Sequence, residues 1–414
     1  MKKLVLISRL TIILFFWANS HAAEVLIKPY GFVLVNAHYN SDLKADVPLK
    51  VGLADHDSNF LITPRQTRFG LRMTLEQEWK IAAVIEMDFF GLKGSGANGG
   101  VMQSAPRLRM ANIRLQKNDL SFVIGQDWSV FAPLNPTSMM HVSIPKFSLS
   151  GNLWNRFPQL RAEYRFKLDE KTSLLLQGAF LRPLGADITP AVNQTDELGA
   201  GELSALPFWE MRLAADIGAS VTVGASIHLG QEDFYKAWNG EKRVNSISYA
   251  IKDEKTGTFA LAGDAKIKSG IATLSAEAFW GKNLTMLFSN AYLKSSVESD
   301  GRLKIDGVEV TGGWAELSLK PKNSKFTYGA GLGWEALTEE DVDSLIQDPL
   351  FKSATPIRKN LTIFALISYS PFSNFSWGLE FNHIKSTYKK LENAALVGAN
   401  AGNTSIGLAF KFDF

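Results

Sequence analysis

The sequence predicts an all-β fold, a transmembrane antiparallel up-and-down β-barrel of about 16 strands with short periplasmic turns and long extracellular loops. From Tyr30 onward, segments of about ten to twelve residues alternate apolar and polar side chains, which places one class on each face of a strand. Beyond the N-terminus, no stretch has the ~18 consecutive apolar residues that a membrane helix needs. The mean hydropathy of -0.02 fits a barrel, because only every second residue of a barrel strand meets lipid.

Residues 1–22 have the pattern of a secretory signal peptide, which leaves 23–414 as the barrel domain. Lys2 and Lys3 form the positive start, an apolar run follows, and Ser20-His21-Ala22 is a small-x-small cleavage site. Without this segment the 44 basic residues fall to 41 and equal the 41 acidic residues, so the net charge of +3 belongs to the signal. This balance argues against a nucleic-acid partner, which would require a basic stripe.

Several kinds of chemical site have no support in the sequence. Cysteine is absent, which excludes disulfides, thiol catalysis and zinc–thiolate sites. The histidines lack His-x-x-x-His spacing, and the acidic run 339–343 does not match an EF-hand loop. The glycine-rich run 94–100 lacks the Lys-Ser/Thr of a phosphate loop, and no G-x-S-x-G elbow is present. We therefore expect no cofactor, no metal site and no catalytic residue.

Each predicted strand has an apolar face toward lipid and a polar face toward the lumen. In the first three strands the apolar set is Val33, Val35, Ala37, Tyr39, Phe69, Leu71, Met73, Leu75, Ile81, Ala83, Ile85, Met87 and Phe89. The inward set includes Asn36, His38, Arg68, Arg72, Glu86 and Asp88, then Arg161, Glu163, Arg165 and Lys167 in the row 160–168, and later Arg212, Glu316 and Glu380. These rows must face water, because Arg or Lys on the lipid face costs ~2–4 kcal/mol at the midplane.

The sequence leaves two directions open for Arg107 and Arg109. If Ala111, Ile113 and Leu115 face lipid, these arginines share their parity and lie near the outer rim. A β-bulge would instead turn them into the pore, because it adds one residue to the strand.

Short and long connections alternate along the chain, as in outer-membrane barrels. Short corners are predicted near Gln77, Asn118, 169–170, Gly218, 269–270, 321–325 and 371–374, and long loops at 41–64, 91–106, 129–156, 183–206, 231–257, 282–310, 337–357 and 389–402. Together they leave both chain ends periplasmic. The alternating segment 244–252 would make the strand count odd, so we assign it to a hairpin inside the loop 231–257.

The chain ends in a strand, 403–414, whose apolar face carries Phe410, Phe412 and Phe414. This ending resembles the closing strand of bacterial outer-membrane barrels, in which the terminal Phe is part of the insertion signal. The resemblance implies export to the outer membrane of a Gram-negative cell, with the barrel-assembly machinery as a partner.

Residues 30–165 resemble the DcaP-like porins of Gram-negative bacteria. The similar segments are Gly31-Phe32-Val33, Pro64 to Gly70 (PRQTRFG), Glu86 to Gly91 (EMDFFG), Arg107-Leu108-Arg109 with Ala111, and Ile124 to Phe131 (IGQDWSVF). The resemblance implies a trimeric 16-stranded diffusion channel that favours small anions such as dicarboxylates. Members of that family often carry an N-terminal coiled coil, whereas here about seven residues separate the cleavage site from the first strand, so we expect no such stalk.

In porins generally the third long loop folds into the lumen and narrows it, and here that loop is 129–155. It contains His141 and Lys146 but no Asp or Glu. Side chains cannot fill a barrel of this size, so a water-filled channel is expected, and an uncompensated basic side would attract anions. The predicted pore-lining set is Arg68, Arg72, Glu86, Asp88, Arg109, His141, Lys146, Arg161, Glu163, Arg165, Arg212, Glu316 and Glu380. The alternative is that wall acids cancel the arginines and leave the pore nearly unselective.

The predicted function is passive diffusion of small hydrophilic solutes through a homotrimeric porin, with outer-membrane lipid and lipopolysaccharide as surroundings. One alternative is a structural or adhesin-type barrel whose loops close the lumen. Another is an outer-membrane barrel lipase, which would need a Ser and a His on the lipid-facing rim. His383 shares the parity of Leu379 and Phe381 and is the candidate for that role.

Overall fold

A computed structural model describes residues 24–43, 45–54, 57–91, 104–185, 198–244, 246–291, 293–353, 355–393 and 395–414. The predicted signal peptide and the glycine-rich run 94–100 lie outside these ranges. The chain forms a closed all-β barrel of antiparallel strands, which confirms the predicted fold class. Within the described ranges, no helix is long and apolar enough to cross a membrane.

The strands are β1 Leu26–Asn40, β2 Asn59–Thr63, β3 Arg68–Glu76, β4 Lys80–Asp88, β5 Arg107–Lys117, β6 Leu120–Trp128, β7 Arg156–Lys167, β8 Thr172–Leu181, β9 Phe208–Ile217, β10 Val221–Glu232, β11 Glu241–Val244, β12 Ile247–Ala250, β13 Thr256–Ser269, β14 Ala272–Lys282, β15 Leu293–Val297, β16 Leu303–Gly307, β17 Glu309–Leu319, β18 Phe326–Leu337, β19 Ile357–Phe372, β20 Phe375–Glu392 and β21 Ala395–Asp413. The helices are α1 Ala200–Leu203, α2 Phe234–Ala237 and α3 Glu339–Gln347, with a 3₁₀ turn at Thr285–Leu287.

Seventeen of these strands make the barrel sheet, but two of them act as one. β2 pairs with the upper part of β1, from Asn36 to Asn40, and β3 pairs with its lower part, from Leu26 to Phe32. The break between β2 and β3 falls at Pro64, which has no backbone N–H to donate to the ladder. The result is a barrel of 16 strands.

The first and last strands close the barrel. β1 and β21 pair from Phe32 opposite Asp413 to Asn40 opposite Ser405. The Phe414 backbone N–H also donates to the Gly31 carbonyl at 3.1 Å. Phe410, Phe412 and Phe414 all face outward and are exposed.

Side-chain direction follows the predicted alternation. In the row 160–168, Leu160, Tyr164 and Phe166 are exposed on the outer surface, whereas Arg161 and Glu163 pair with each other inside, at 3.0 Å. Most of the exposed large apolar residues are on the outer faces of barrel strands. The charged rows therefore face the lumen and avoid the cost of meeting lipid.

The connections match the prediction at one end of the barrel and depart from it twice at the other, first because β2 lies inside the predicted long loop 41–64. All seven short turns are where the sequence places them, and β11 and β12 form a separate hairpin within a long loop. The prediction of a long loop at 389–402 is wrong. β20 and β21 remain paired up to Glu392 opposite Ala395, so the closing strand begins at Ala395 and not at 403.

A packed apolar cluster occupies the outer half of the lumen, where the long loops fold inward. Val51, Phe131, Leu153, Leu287 and Val342 come from four different loops and are all buried there. They pack against inward wall residues such as Leu181 and Phe208. The loops therefore fill part of a lumen that wall side chains alone would leave open.

Candidate pore constriction

The segment 129–155 lies against the inner wall of the barrel. It begins directly after β6 and ends where β7 begins. The Ser129 N–H donates to the Asn155 carbonyl at 3.0 Å and closes the base of the segment. We call this segment the constriction loop.

Four wall glutamates hold the constriction loop by accepting its backbone N–H groups. We call Glu210, Glu277, Glu316 and Glu380 the loop-holding glutamates; they lie on β9, β14, β17 and β20. Their bonds come from Val130 N to Glu210 at 2.9 Å, Leu134 N to Glu277 at 2.7 Å, Thr137 N to Glu316 at 2.6 Å and Met139 N to Glu380 at 3.2 Å. All four side chains are buried. These bonds satisfy loop donors that have no strand partner.

Lys146 and Glu380 form a buried ion pair at 2.6 Å, so Lys146 is part of the site but does not face water. Burial lowers the pKa of Lys146, and the Glu380 carboxylate opposes that shift. His141 is also buried, and burial followed by the nearby charges of Lys146 and His38 holds the pKa of its imidazole well below the usual range. Both predicted loop residues are therefore buried instead of lining the bore.

Gln66 and Asn36 bind the middle of the constriction loop, and the sequence assigned neither a role. The Gln66 carbonyl oxygen accepts the N–H groups of Val142 at 2.8 Å and Ser143 at 2.9 Å. The Asn36 amide donates to the Met139 carbonyl at 2.9 Å. Gln66 lies in one of the segments that carry the family resemblance, but only its contacts with the loop give it a function.

A second loop, 283–291, supports the returning arm of the constriction loop. The Leu149 N–H donates to the Phe288 carbonyl at 3.1 Å, and the Trp154 N–H donates to the Leu287 carbonyl at 3.1 Å. The Trp154 and Phe288 rings stack with centroids 4.1 Å apart. Sequence alternation carries no signal for such a contact, because neither partner is in a strand.

The arginines left open by the sequence both point inward. Glu86 of β4 pairs with Met110 while Met87 pairs with Leu108, so Arg109 is the extra residue of a β-bulge. Leu108 is exposed on the outer surface. The bulge alternative is therefore the one found, and it places Arg107 and Arg109 in the lumen.

Arg68, Arg107 and Arg109 form one basic wall with Glu86 and Asp88, which we call the arginine wall. Arg109 bonds Glu86 at 2.8 Å and Asp88 at 2.9 Å, and is itself buried. Arg107 bonds Asp88 at 2.7 Å. Arg68 lies 3.6 Å from Glu86 and donates to the Val142 carbonyl of the constriction loop at 3.1 Å. The wall thus holds three cations and two acids.

Two further cations have no carboxylate within 4.0 Å among the described residues. The Arg156 guanidinium lies over the rings of Trp128 and Trp154, at 5.0 and 5.4 Å from the ring centres. Lys50 is exposed to water, yet the surrounding protein lowers the pKa of its ammonium group, with Glu335 opposing the shift. Neither residue was predicted to line the pore.

The remaining predicted residues form separate pairs along the wall. Arg161 bonds Asp127 at 3.0 Å, Arg165 bonds Asp216 at 2.5 Å, and Arg212 bonds Asp264 at 2.7 Å. Arg72 lies closer to the periplasmic turns, opposite Lys28. The rim histidine His383 contacts Thr404 at 3.0 Å, so the described contacts give it no serine partner.

Comparison with known proteins identifies the fold. No protein-family model matches the chain, and no curated protein matches it. The outer membrane channel DcaP of Acinetobacter baumannii superposes with a TM-score of 0.66 at 18% identity, covering 94% of this chain and 97% of that one. OmpT, an outer membrane protein of Vibrio cholerae, gives 0.54 at 9% identity, covering 94% and 98%. OmpF of Salmonella typhi, in complex with daunomycin, gives 0.53 at 11% identity, covering 93% and 97%. The chain therefore has the fold of outer-membrane channels, which confirms the predicted resemblance to DcaP at the level of fold.

Proposed function

We propose that this protein is an outer-membrane porin through which small hydrophilic solutes diffuse passively, with a preference for anions. The observation that carries the proposal is the difference in exposure between acids and bases around the constriction loop. The side chains of Arg68 and Arg107 are 19% and 27% exposed, whereas those of Glu86 and Asp88 are 5% and 0% exposed.

The loop-holding glutamates reinforce this difference. Each of the four is buried and bonded to the constriction loop, so its carboxyl group is withdrawn from the water of the lumen. The loop itself contributes no acid. Beside the constriction loop, solutes therefore meet the partly exposed Arg68 and Arg107 of the arginine wall and not the acids that pair with them. A confined lumen with one sign of exposed charge concentrates the opposite sign.

The arginine wall also suits solutes that carry carboxylates. Arginine binds a carboxylate with two parallel N–H bonds, which lysine cannot do. Arg68 and Arg107 are both partly exposed beside the same loop, since Arg107 donates to the Ser143 carbonyl at 3.0 Å and Arg68 to that of Val142. Small dicarboxylates, which the family resemblance implies, could contact both guanidinium groups.

A second candidate function, a structural barrel with a closed lumen, is favoured by the apolar cluster that the inward-folded loops form. Swelling of liposomes that contain the purified protein separates the two. A porin admits small sugars and the liposomes swell, whereas a closed barrel gives no swelling.

Ion preference is tested by the zero-current potential of the protein in a planar bilayer between two KCl concentrations. The proposal expects the sign that corresponds to chloride entry, and a smaller potential in the variant Arg68→Gln/Arg107→Gln. A potential of the opposite sign in the unmodified protein would overturn the anion preference.

The assembly state and surroundings complete the proposal. OmpT of Vibrio cholerae has been solved in a trimer form with the same fold, at a TM-score of 0.52. We extend that state to this chain, together with an N-terminal signal peptide, outer-membrane lipid and lipopolysaccharide as neighbours, and the outward Phe410, Phe412 and Phe414 as the signal to the barrel-assembly machinery.

A further inference from the structure

A recess of about 470 Å³ opens into the lumen near the periplasmic end of β1, β3, β4 and β5. Four basic side chains line it, Lys28, Arg72, Lys80 and Arg114, together with polar Thr74 and Asn112 and with Glu76. The recess lies on the turn side of the arginine wall: Arg72 is on the same strand as Arg68 but nearer the short turn at Gln77.

Two of the four cations face each other without a counter-charge. Lys28 and Arg72 are directly opposite on β1 and β3, and both are exposed. Among the described residues, no carboxylate oxygen lies within 4.0 Å of either charged group. Like charges directly opposite on neighbouring strands repel each other. An anion between the two side chains would relieve this repulsion.

The acids close to the recess are paired with other cations. Glu76 bonds Lys80 at 2.9 Å, and Glu163 bonds Arg114 at 2.7 Å and Arg161 at 3.0 Å. Glu86 accepts the Tyr30 hydroxyl at 3.1 Å and pairs with Arg109. The Arg72 guanidinium lies 5.6 Å from the centre of the Tyr30 ring, which favours its position beside Lys28.

We propose that Lys28 and Arg72 form a binding site for small dianions in this recess, separate from the arginine wall. The site rests on the proposed porin function and adds a second point of contact along the same path. Arg72 supplies a planar pair of donors and Lys28 a mobile point charge, which suits an ion with two negative charges such as sulfate, phosphate or a short dicarboxylate. In a passive channel the site leaves the equilibrium unchanged, but it slows a dianion that enters from the periplasmic side.

The chain offers a matched control on the opposite wall. Lys266 and Lys268 face the lumen from β13, are exposed, and also have no carboxylate within 4.0 Å among the described residues. β13 is the tenth strand of the barrel, whereas β1 and β3 form the first and second. Neither lysine lines the recess. Replacing this pair removes the same charge without touching the proposed site.

The test measures how sodium sulfate reduces the chloride current of the full-length protein in a planar bilayer, when added to one side at a time. The orientation of each inserted channel is determined with a single cysteine in a short periplasmic turn, Lys322→Cys. A thiol reagent that cannot cross the membrane reacts with this cysteine only when it is added to the periplasmic side. We expect sulfate to block from the periplasmic side in the unmodified protein. In Lys28→Gln/Arg72→Gln, the half-blocking concentration should rise about tenfold, since two charge-assisted contacts are lost.

The variant Lys266→Gln/Lys268→Gln should stay within about twofold of the unmodified protein, because it changes only the screened field of the lumen. Equal shifts in both double variants, or no shift in either, would overturn the site. A heat-dependent gel shift confirms that each variant is folded. The zero-current potential in KCl alone reports the anion preference of the whole pore. A pore without anion preference is therefore distinguishable from a pore that lacks the sulfate site.

Discussion

Arg107 and Arg109 are two residues apart on β5 and have different roles. Arg109 is buried between Glu86 and Asp88, whereas Arg107 shares Asp88 and is partly open to the lumen. We expect Arg109→Gln to destabilise the barrel by about 3–5 kcal/mol, because it leaves two buried acids short of their partner. Urea unfolding in lipid vesicles measures this loss.

The matched variant Arg107→Gln should behave differently. It leaves Arg109 in place on Asp88, so its effect on unfolding should stay below about 1 kcal/mol, as for a partly exposed pair. Its zero-current potential should instead move toward zero. Equal destabilisation by both variants would contradict the distinction between a buried and a lumen-facing arginine.

The depressed pKa of His141 leads us to expect that the constriction loop responds to acid. Because its pKa is depressed in the folded protein by burial and by Lys146 and His38, the folded state binds fewer protons than the unfolded one. Its contribution is complete above the unfolded pKa of about 6.5 and is lost as the pH falls below that value. We expect the current noise of single channels to rise between neutral and acidic pH. His141→Gln should remove the part of this response that titrates with histidine; an unchanged acid response in that variant would exclude His141 as its source.

For single residues, the sequence predicts which face of a strand a side chain lies on, but not which residue it pairs with. The period of two places Arg161, Glu163 and Glu380 inside, because parity alone decides the face of a regular strand. It cannot decide Arg107 and Arg109, because one extra residue in a bulge reverses parity. Nor can it reveal that Lys146 is buried on Glu380, since that contact depends on the path of a loop across the lumen.

The constriction loop is the element whose position depends most on single wall residues. Glu380 accepts the Ser138 hydroxyl at 2.7 Å and the Met139 N–H, and it pairs with Lys146. We expect Glu380→Ala to release this part of the loop and to increase both the conductance and its fluctuation, because a buried ammonium group loses its counter-charge. Single-channel recording at neutral pH measures both quantities.

The double variant Glu380→Ala/Lys146→Met serves as the control for that prediction. It removes the unpaired buried charge but not the lost bonds to Ser138 and Met139, so it should recover part of the original conductance. A double variant as noisy as Glu380→Ala would show that the unpaired Lys146 charge is not what releases the loop.

The membrane-spanning strands were predictable from the sequence, but the length of the last two strands, β20 and β21, was not. Within the barrel one face meets lipid, so apolar residues recur at every second position and identify the strand. In the outer part of β21 the buried face carries small or polar residues such as Ala401 and Asn403, and the exposed face carries Asn400 and Gly402, so apolar and polar side chains do not alternate there. The pairing from Tyr388 to Ala399 and beyond is carried by backbone bonds, which leave no pattern in the side chains.

In the whole molecule, the alternation of side chains determines the lipid-facing surface, and the inward-folded loops determine the shape and charge of the lumen. The first of these follows from local sequence, and the second from contacts between residues far apart, such as Glu380 with Ser138 and Gln66 with Val142. The fold class was therefore predictable from the alternation along the described strands, whereas the exposure of charge in the lumen depends on how the loop buries the wall acids.

Leu175 and Leu176 test the alternation on which the barrel depends. They are consecutive on β8: Leu176 is exposed on the outer face between Tyr164 and Leu213, and Leu175 faces inward between Arg165 and Ala214. We expect Leu176→Arg to cost ~2–4 kcal/mol, because it places a charge near the membrane midplane. Leu175→Arg should be tolerated, because the lumen supplies water and Asp216 lies beside Arg165. Urea titration in vesicles measures both, and a larger loss for Leu175→Arg would reverse the assignment of faces on which the pore depends.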